Sequence, residues 1–475
     1  MAQRYLAIDL GAESGRAILA ELSDNLLRLQ ELHRFPNVPV QLPSGLYWNT
    51  FGLLHEITEG LRAASRAAGK LDGVAIDTWG VDFGLLGPDG ALIDNPRHYR
   101  DSRTAGLPEQ MFEVLPRAEI FVRTGIQFME LNSLYQLYAV HRQSPWLLAR
   151  AKALLFMPDL FNYFLSGVMA SERTIASTSQ FYDPTHQRFA VELLQKLGIP
   201  TAFLAEIVDP GKRLGALLPY VADACGLLRD TALYTTASHD TAAAVAAVPA
   251  SAGTRWCYVS SGTWSLMGME LNQPLINDAS LAANFTNEVG VGGTIRFLKN
   301  IPGLWLLQEC RRAWAKEGRE RSYDELTEMA GAAEPSETVL DLEKFHSSGQ
   351  NADKIRDYCR STHQPIPEND GAVCRVILYS LAVRYKEVLK TLEGLTGRTI
   401  DVIHIVGGGS RNRLLNQLTA DVTGRRVVAG PAEATAAGNA LVQALGAAQL
   451  HSLDELREVV RQSFPVEEFL PKSRP

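Results

Sequence analysis

Asp9-Leu10-Gly11-Ala12-Glu13-Ser14-Gly15-Arg16 lies between two apolar runs, Tyr5 to Ile8 and Ala17 to Leu22. A buried strand, a glycine turn and a second strand is the reading of that pattern. The same unit recurs about 250 residues on, a separation that points to an internal repeat. There Cys257 to Ser260 reads as a strand, Ser261-Gly262-Thr263 as the turn and Trp264 to Met269 as the returning strand. A duplicated α/β architecture follows, each half carrying one hairpin to a shared cleft.

The turn residues also suit phosphate chemistry. Glycine allows the backbone to approach a ligand closely, and Ser14 with its neighbouring N–H groups can bond phosphate oxygens. Asp9 can organise a hydrated divalent metal, and Arg16 can neutralise charge on a group in transfer. A plain hairpin with an exposed arginine is the competing reading of this stretch alone. A third element, Val406-Gly407-Gly408-Gly409-Ser410-Arg411-Asn412, follows the strand Val402 to Val406 and precedes a helical pattern starting near Arg413. Strand, glycines and helix start suit a nucleotide, because a helix amino end offers free N–H groups and positive partial charge. Gly430-Pro431-Ala432-Glu433-Ala434-Thr435-Ala436-Ala437-Gly438 reads as a turn into a closely packed helix.

Around these elements the chain has 475 residues, long enough for two domains of roughly 200 to 250 residues each. Hydrophobic residues make up 46% and charged residues 21%, an ordinary globular balance. A formal charge of -7 argues against nucleic acid or anionic lipid as partner. The amino terminus lacks a secretory pattern, and Ala242 to Val248 falls well short of the roughly 18 apolar residues of a membrane span, so a cytoplasmic protein is expected. Five scattered cysteines without a CxxC fit reduced thiols, although Cys359 and Cys374 are near enough in sequence to pair. His98, His141 and His404 lack metal-ligand spacing.

Leu54, Ile57, Leu61 and Ala64 recur at helical spacing, and Ser144-Pro145 predicts a helix over Trp146 to Leu155. The small, breaker-rich stretch Pro249 to Gly253 is the expected domain boundary. This gives a first domain over 1–248, a second over 254–447 and a carboxy-terminal extension over 448–475. Residues 332–367 are polar and irregular in pattern and are expected at the periphery, and the end from Pro471 is expected to be loose.

The three glycine elements, in this order, resemble the phosphate-1, phosphate-2 and adenosine motifs of the actin, Hsp70 and sugar kinase superfold. Within it the chain resembles the FGGY carbohydrate kinases over about residues 4 to 445. Ser238-His239-Asp240-Thr241 stands where that family carries its catalytic aspartate. Further likeness lies in Ile76-Asp77-Thr78-Trp79-Gly80-Val81-Asp82-Phe83-Gly84, His98 to Thr104 and Ser260 to Leu266. Two departures, Lys152 to Met157 without a tryptophan and Ser238-His239 in place of glycines, narrow the branch of the family.

The resemblance implies two actin/ribonuclease H-like domains with an active-site cleft between them. It implies ATP, Mg²⁺ and a sugar, L-rhamnulose, phosphorylated at its 1-hydroxyl. Asp240 would be the catalytic base, since a carboxylate within reach of a sugar hydroxyl can take its proton. Capping of the helix near Thr241 is its bland alternative. The sugar would meet Gly80, His239, Asp240, Thr241 and Asn300, with Trp79 and Asp82 as pocket walls or, equally, as packing and structural hydrogen bonds. The nucleotide would meet Ala12, Glu13, Ser14, Gly15, Arg16, Thr263, Gln308 and Gly408, and Asp9 would face the metal. Other FGGY substrates, L-fuculose, a pentulose or glycerol, and an actin- or Hsp70-like ATPase without a sugar are the alternatives.

Overall fold

In the computed structural model, residues 2–345, 349 and 351–472 are described. The chain forms two compact units that interleave in sequence. Residues 1–247, 270–297 and 435–463 make the first, and 248–269, 298–434 and 464–475 the second.

The first unit is built on a six-stranded sheet. Its order is Arg213–Ala216, Ala232–Tyr234, Gly73–Thr78, Gln3–Leu10, Ser14–Ser23 and Leu26–Pro36. Gln3–Leu10 is central, antiparallel to Ser14–Ser23 and parallel to Gly73–Thr78. Strands buried on both faces need continuous apolar runs, and Leu6, Ile8 and Leu10 are fully buried. Helix Thr50–Ala68 covers the sheet with Ile57, Leu61 and Ala64, as their spacing predicts, while Leu53 rather than Leu54 is the buried residue of its first turn. Gly60 permits this approach, because a Cβ there would lie 2.6 Å from that of Ala17. The Asn49 side chain caps the helix by accepting the Gly52 N–H at 3.1 Å.

The second unit repeats the plan. Trp256–Ser261 runs antiparallel to Trp264–Leu271 and parallel to Val402–Val406. Val402–Val406 is in turn parallel to Arg426–Ala429, which Glu467–Phe469 joins antiparallel. Each unit thus pairs a central strand with a hairpin partner on one side and a parallel strand on the other. Helix Asp370–Thr396 is anchored to the sheet by a 2.7 Å hydrogen bond between the Tyr385 and Ser265 hydroxyls.

Two expectations change. The helix after Ser144 stops at Arg150, and Ala153–Phe156 is a buried strand paired with Phe83–Leu86. Sheet pairing overrides the local helical pattern there. Within 332–367, Ala352–Ser361 is a helix with Ile355 and Cys359 buried, while 346–348 and 350 lie outside the described residues. Of the loose end predicted from Pro471, residues 473–475 also lie outside them. All five cysteines are buried free thiols. Among the described residues, no helix is long and apolar enough to cross a membrane.

Candidate active site

Strand register assembles the charged end of the first unit. Asp9 pairs with Arg16 across the hairpin and with Asp77 on the parallel strand, so three charged side chains share one row of the sheet. Arg16 forms an ion pair with Asp9. Asp77 is fully buried and is held well above the usual carboxylate range, first by desolvation and then by the negative charge of Asp9. Its Oδ2 accepts from Asn439 Nδ2 at 2.6 Å. Its Oδ1 has no partner among the described residues.

The turn between the strands is closed by the Gly11 N–H donating to the Ser14 carbonyl at 2.9 Å. Ala12, Glu13 and Ser14 form its tip, and Glu13 is exposed. Gly15 is demanded by packing, since a Cβ there would lie 2.3 Å from the Phe35 ring.

Beyond Thr78 the neighbouring chain is Ser238-His239. The Thr78 N–H donates to the Ser238 carbonyl at 2.9 Å, and Thr78 and His239 form a parallel bridge. Glu172 locks this segment in place: it accepts from the Ser238 N–H at 3.2 Å and from the Thr174 hydroxyl at 2.6 Å. Thr174 Oγ1 in turn accepts the His239 N–H at 3.2 Å. Desolvation of Glu172 pushes its carboxyl up to about 7.

Helix Asp240–Ala246 starts here. The capping position belongs to His239, one residue earlier than the capping reading of Asp240 requires, and the imidazole makes no cap bond. Asp240 Oδ1 accepts from the Thr241 N–H at 2.5 Å and the Thr241 hydroxyl at 3.1 Å. The Asp240 side chain remains 31% exposed. Desolvation raises its carboxyl above the ordinary range, and the negative charge of Asp9 adds to it. A half-open carboxylate with few donors is equipped to accept a proton.

Gly80 faces His239: a Cβ on it would lie 3.3 Å from His239 Nε2. Val81 follows at φ 70°, a left-handed conformation unusual for a β-branched residue, and its N–H donates to Thr178 Oγ1 at 3.2 Å. This turn directs Asp82 inward. Asp82 accepts from Trp48 Nε1 at 2.6 Å, Trp79 Nε1 at 2.9 Å, the Tyr99 N–H at 3.2 Å and Gln136 Nε2 at 2.8 Å. Four donors and 1% exposure make Asp82 a structural hub, and Trp79, 5% exposed, is packed beside it. His98 stacks on Trp48 with ring centroids 4.1 Å apart, and burial pushes its imidazole down to about 3.

In the second unit the turn Gly262-Thr263 receives the start of helix Trp305–Lys316, which carries Gln308. The Leu304 N–H donates to the Gly262 carbonyl at 3.0 Å, and the Gly303 and Trp305 N–H groups to that of Thr263 at 3.1 and 3.2 Å. Gln308 Oε1 is buried without a partner among the described residues. Gly407 and Gly409 pack on Ser261, where a Cβ on Gly409 would lie 2.0 Å from the Ser261 Oγ. Gly408, between them, is exposed and its Cβ would meet nothing. Asn300 lies half-buried on strand Ile295–Pro302.

Sequence reasoning missed Glu172, Glu288, Arg296 and the burial of Asp77. Glu172 and Arg296 belong to no motif, and only Asp77, inside a quoted stretch, carried a local signal.

Residues 4–246 match the N-terminal domain and 257–447 the C-terminal domain of the FGGY family of carbohydrate kinases. The chain is 43% identical over 474 residues to a rhamnulokinase of Bacteroides thetaiotaomicron, covering 99% of this chain and 96% of that one. It is 39% identical to a rhamnulokinase of Bacillus subtilis, with 98% and 95% covered. In fold it is similar to a gluconate kinase from Lactobacillus acidophilus, with a TM-score of 0.81 at 13% identity and 99% and 94% covered. A Plasmodium falciparum glycerol kinase with ADP gives a TM-score of 0.78 at 13% identity over the same shares. With both domain models matched along almost its whole length, the chain belongs to the FGGY family of carbohydrate kinases.

Proposed function

We propose that the chain transfers the γ-phosphoryl group of ATP to the 1-hydroxyl of L-rhamnulose, giving ADP and L-rhamnulose 1-phosphate. The observation that carries this reading is the identity of 36% to 43% to rhamnulokinases over nearly the full chain. The open carboxylate of Asp240, backed by His239, supplies the chemistry such a transfer needs.

Asp240 accepts the hydroxyl proton as the oxygen bonds to phosphorus, a contribution of about 100- to 10,000-fold. Gly80, His239, Thr241 and Asn300 orient the sugar. Ala12 to Arg16, Thr263, Gln308 and Gly408 hold the nucleotide, with backbone N–H groups at the glycine turns facing phosphate oxygens. Among the described residues no cluster of three or more His, Cys, Asp or Glu is arranged as a metal cage. The row of Asp9 and Asp77, with the unpartnered Asp77 Oδ1, instead suits Mg²⁺ that arrives with ATP and keeps its water, met by Asp9 through the hydration shell. When bound, Mg²⁺ neutralises charge on the phosphates.

The test is a panel of purified L-rhamnulose, L-fuculose, pentuloses and glycerol with coupled ADP detection. The reading expects the highest kcat/KM for L-rhamnulose and a 1-phosphate product. Preference for another acceptor would replace the substrate, and ATP turnover indifferent to every sugar would remove the kinase reading.

A further inference from the structure

Residues 286–297, absent from every motif, send two charged side chains to His239. Arg296 is fully buried, and Glu288 and His239 are 5% and 6% exposed. Arg296 Nε donates to the Val289 carbonyl at 3.1 Å, while its Nη2 lies 3.0 Å from Glu288 Oε2 and 3.1 Å from His239 Nδ1. A guanidinium can only donate, so Nδ1 must be the nitrogen that accepts. Were Nδ1 protonated, two N–H groups would face each other in a buried space. Glu288 Oε2, 3.3 Å from Nδ1, favours the opposite state, but it lies closer to Arg296 and its charge is balanced there. With the proton excluded from Nδ1, the ring carries it on Nε2. That nitrogen lies 3.5 Å from Asp240 Oδ1 and beside Gly80.

We propose that Arg296, charge-balanced by Glu288, is a positioning residue that fixes His239 as its Nε2–H tautomer, so that the imidazole presents a donor next to Asp240 and the acceptor sugar. The inference rests on the sugar-kinase reading for its purpose. A donor at this place holds a sugar oxygen through its lone pair and leaves the hydroxyl hydrogen to Asp240. A bare nitrogen there would compete with the carboxylate for that hydrogen. Neither Arg296 nor Glu288 needs to touch the substrate.

The full chain labelled with ¹⁵N-histidine reads the tautomer directly, the His239 signals being assigned by their loss in His239→Gln. Wild type should show a protonated Nε2 and a bare Nδ1. Because Arg296→Met alone strands a buried carboxylate, the double variant Glu288→Gln with Arg296→Met serves as the second protein, with its fold checked by circular dichroism. It should lose the tautomer preference and raise the sugar KM roughly two- to tenfold, the size of a lost hydrogen bond between neutral groups. The KM for ATP should stay unchanged. His239→Gln, whose amide N–H can replace Nε2–H, should retain more activity than His239→Ala. A protonated Nδ1 in the wild type, or a folded double variant with an unchanged sugar KM, would overturn the proposal. A wild type that turns over no sugar would instead overturn the functional reading, and the nitrogen signals would still decide the tautomer.

Discussion

Asp82 and Asp240 sit in the same unit, and desolvation raises both above the ordinary carboxylate range. Asp82 is closed in by two indoles, an amide and a backbone N–H, and all but vanishes from the surface. Asp240 takes hydrogen bonds from Thr241 and keeps nearly a third of its side chain open. A raised pKa therefore does not separate chemistry from architecture here. Free acceptor capacity sets apart the carboxylate proposed as the base, since one whose lone pairs are occupied has none left for a substrate proton.

The largest effect should come from Asp240→Asn. Sugar-dependent ADP release is expected to fall about 100- to 10,000-fold with little change in melting temperature. Wild-type turnover in that variant would erase the distinction between the two carboxylates.

Next comes the packing that seats the helix of Asp240. Gly438 lies against it, and a Cβ there would lie 1.9 Å from the Ala243 carbonyl oxygen. Gly438→Ala should cost about 3 kcal/mol in denaturant unfolding. An unshifted midpoint would show that the helices are not in such close contact.

Asp82→Asn should destabilise by about 2 kcal/mol, because an amide N–H₂ replaces one of two buried oxygens that face only donors, while leaving the KM for ATP unchanged. The pH dependence sharpens the contrast. Desolvation lifts the Asp82 carboxyl from 3.8 to about 6, against the hydrogen bonds that lower it. The folded chain thus binds this proton more tightly than the unfolded chain, and stability from this group is lost as pH rises from about 4 through 6. Unfolding midpoints across that window should fall in wild type and flatten in Asp82→Asn. Identical slopes would mean that Asp82 titrates normally.

Much of this site was legible in the sequence for a local reason. Gly15 and Gly409 stand where a Cβ would collide with Phe35 or Ser261, and Gly407 adopts φ 81°, so their spacing encodes backbone geometry. Asp240 was legible only through the Ser-His-Asp-Thr likeness, because a lone aspartate before small residues reads equally as a cap. The saturation of Asp82 depends on Trp48 and Gln136, both distant in sequence, and no local pattern announces it. Glu288, Arg296 and Glu172 act through tertiary contacts for the same reason. Ala153 to Phe156 was misread because its partner strand, Phe83–Leu86, lies some 70 residues earlier, beyond any periodicity window.

The most direct measurement is a structure of the full chain with L-rhamnulose and a non-hydrolysable ATP analogue. The account predicts the C1 hydroxyl oxygen within about 3 Å of the Asp240 carboxylate, with the terminal phosphate on the far side of that oxygen. A different hydroxyl at Asp240, or a sugar bound out of its reach, would contradict it.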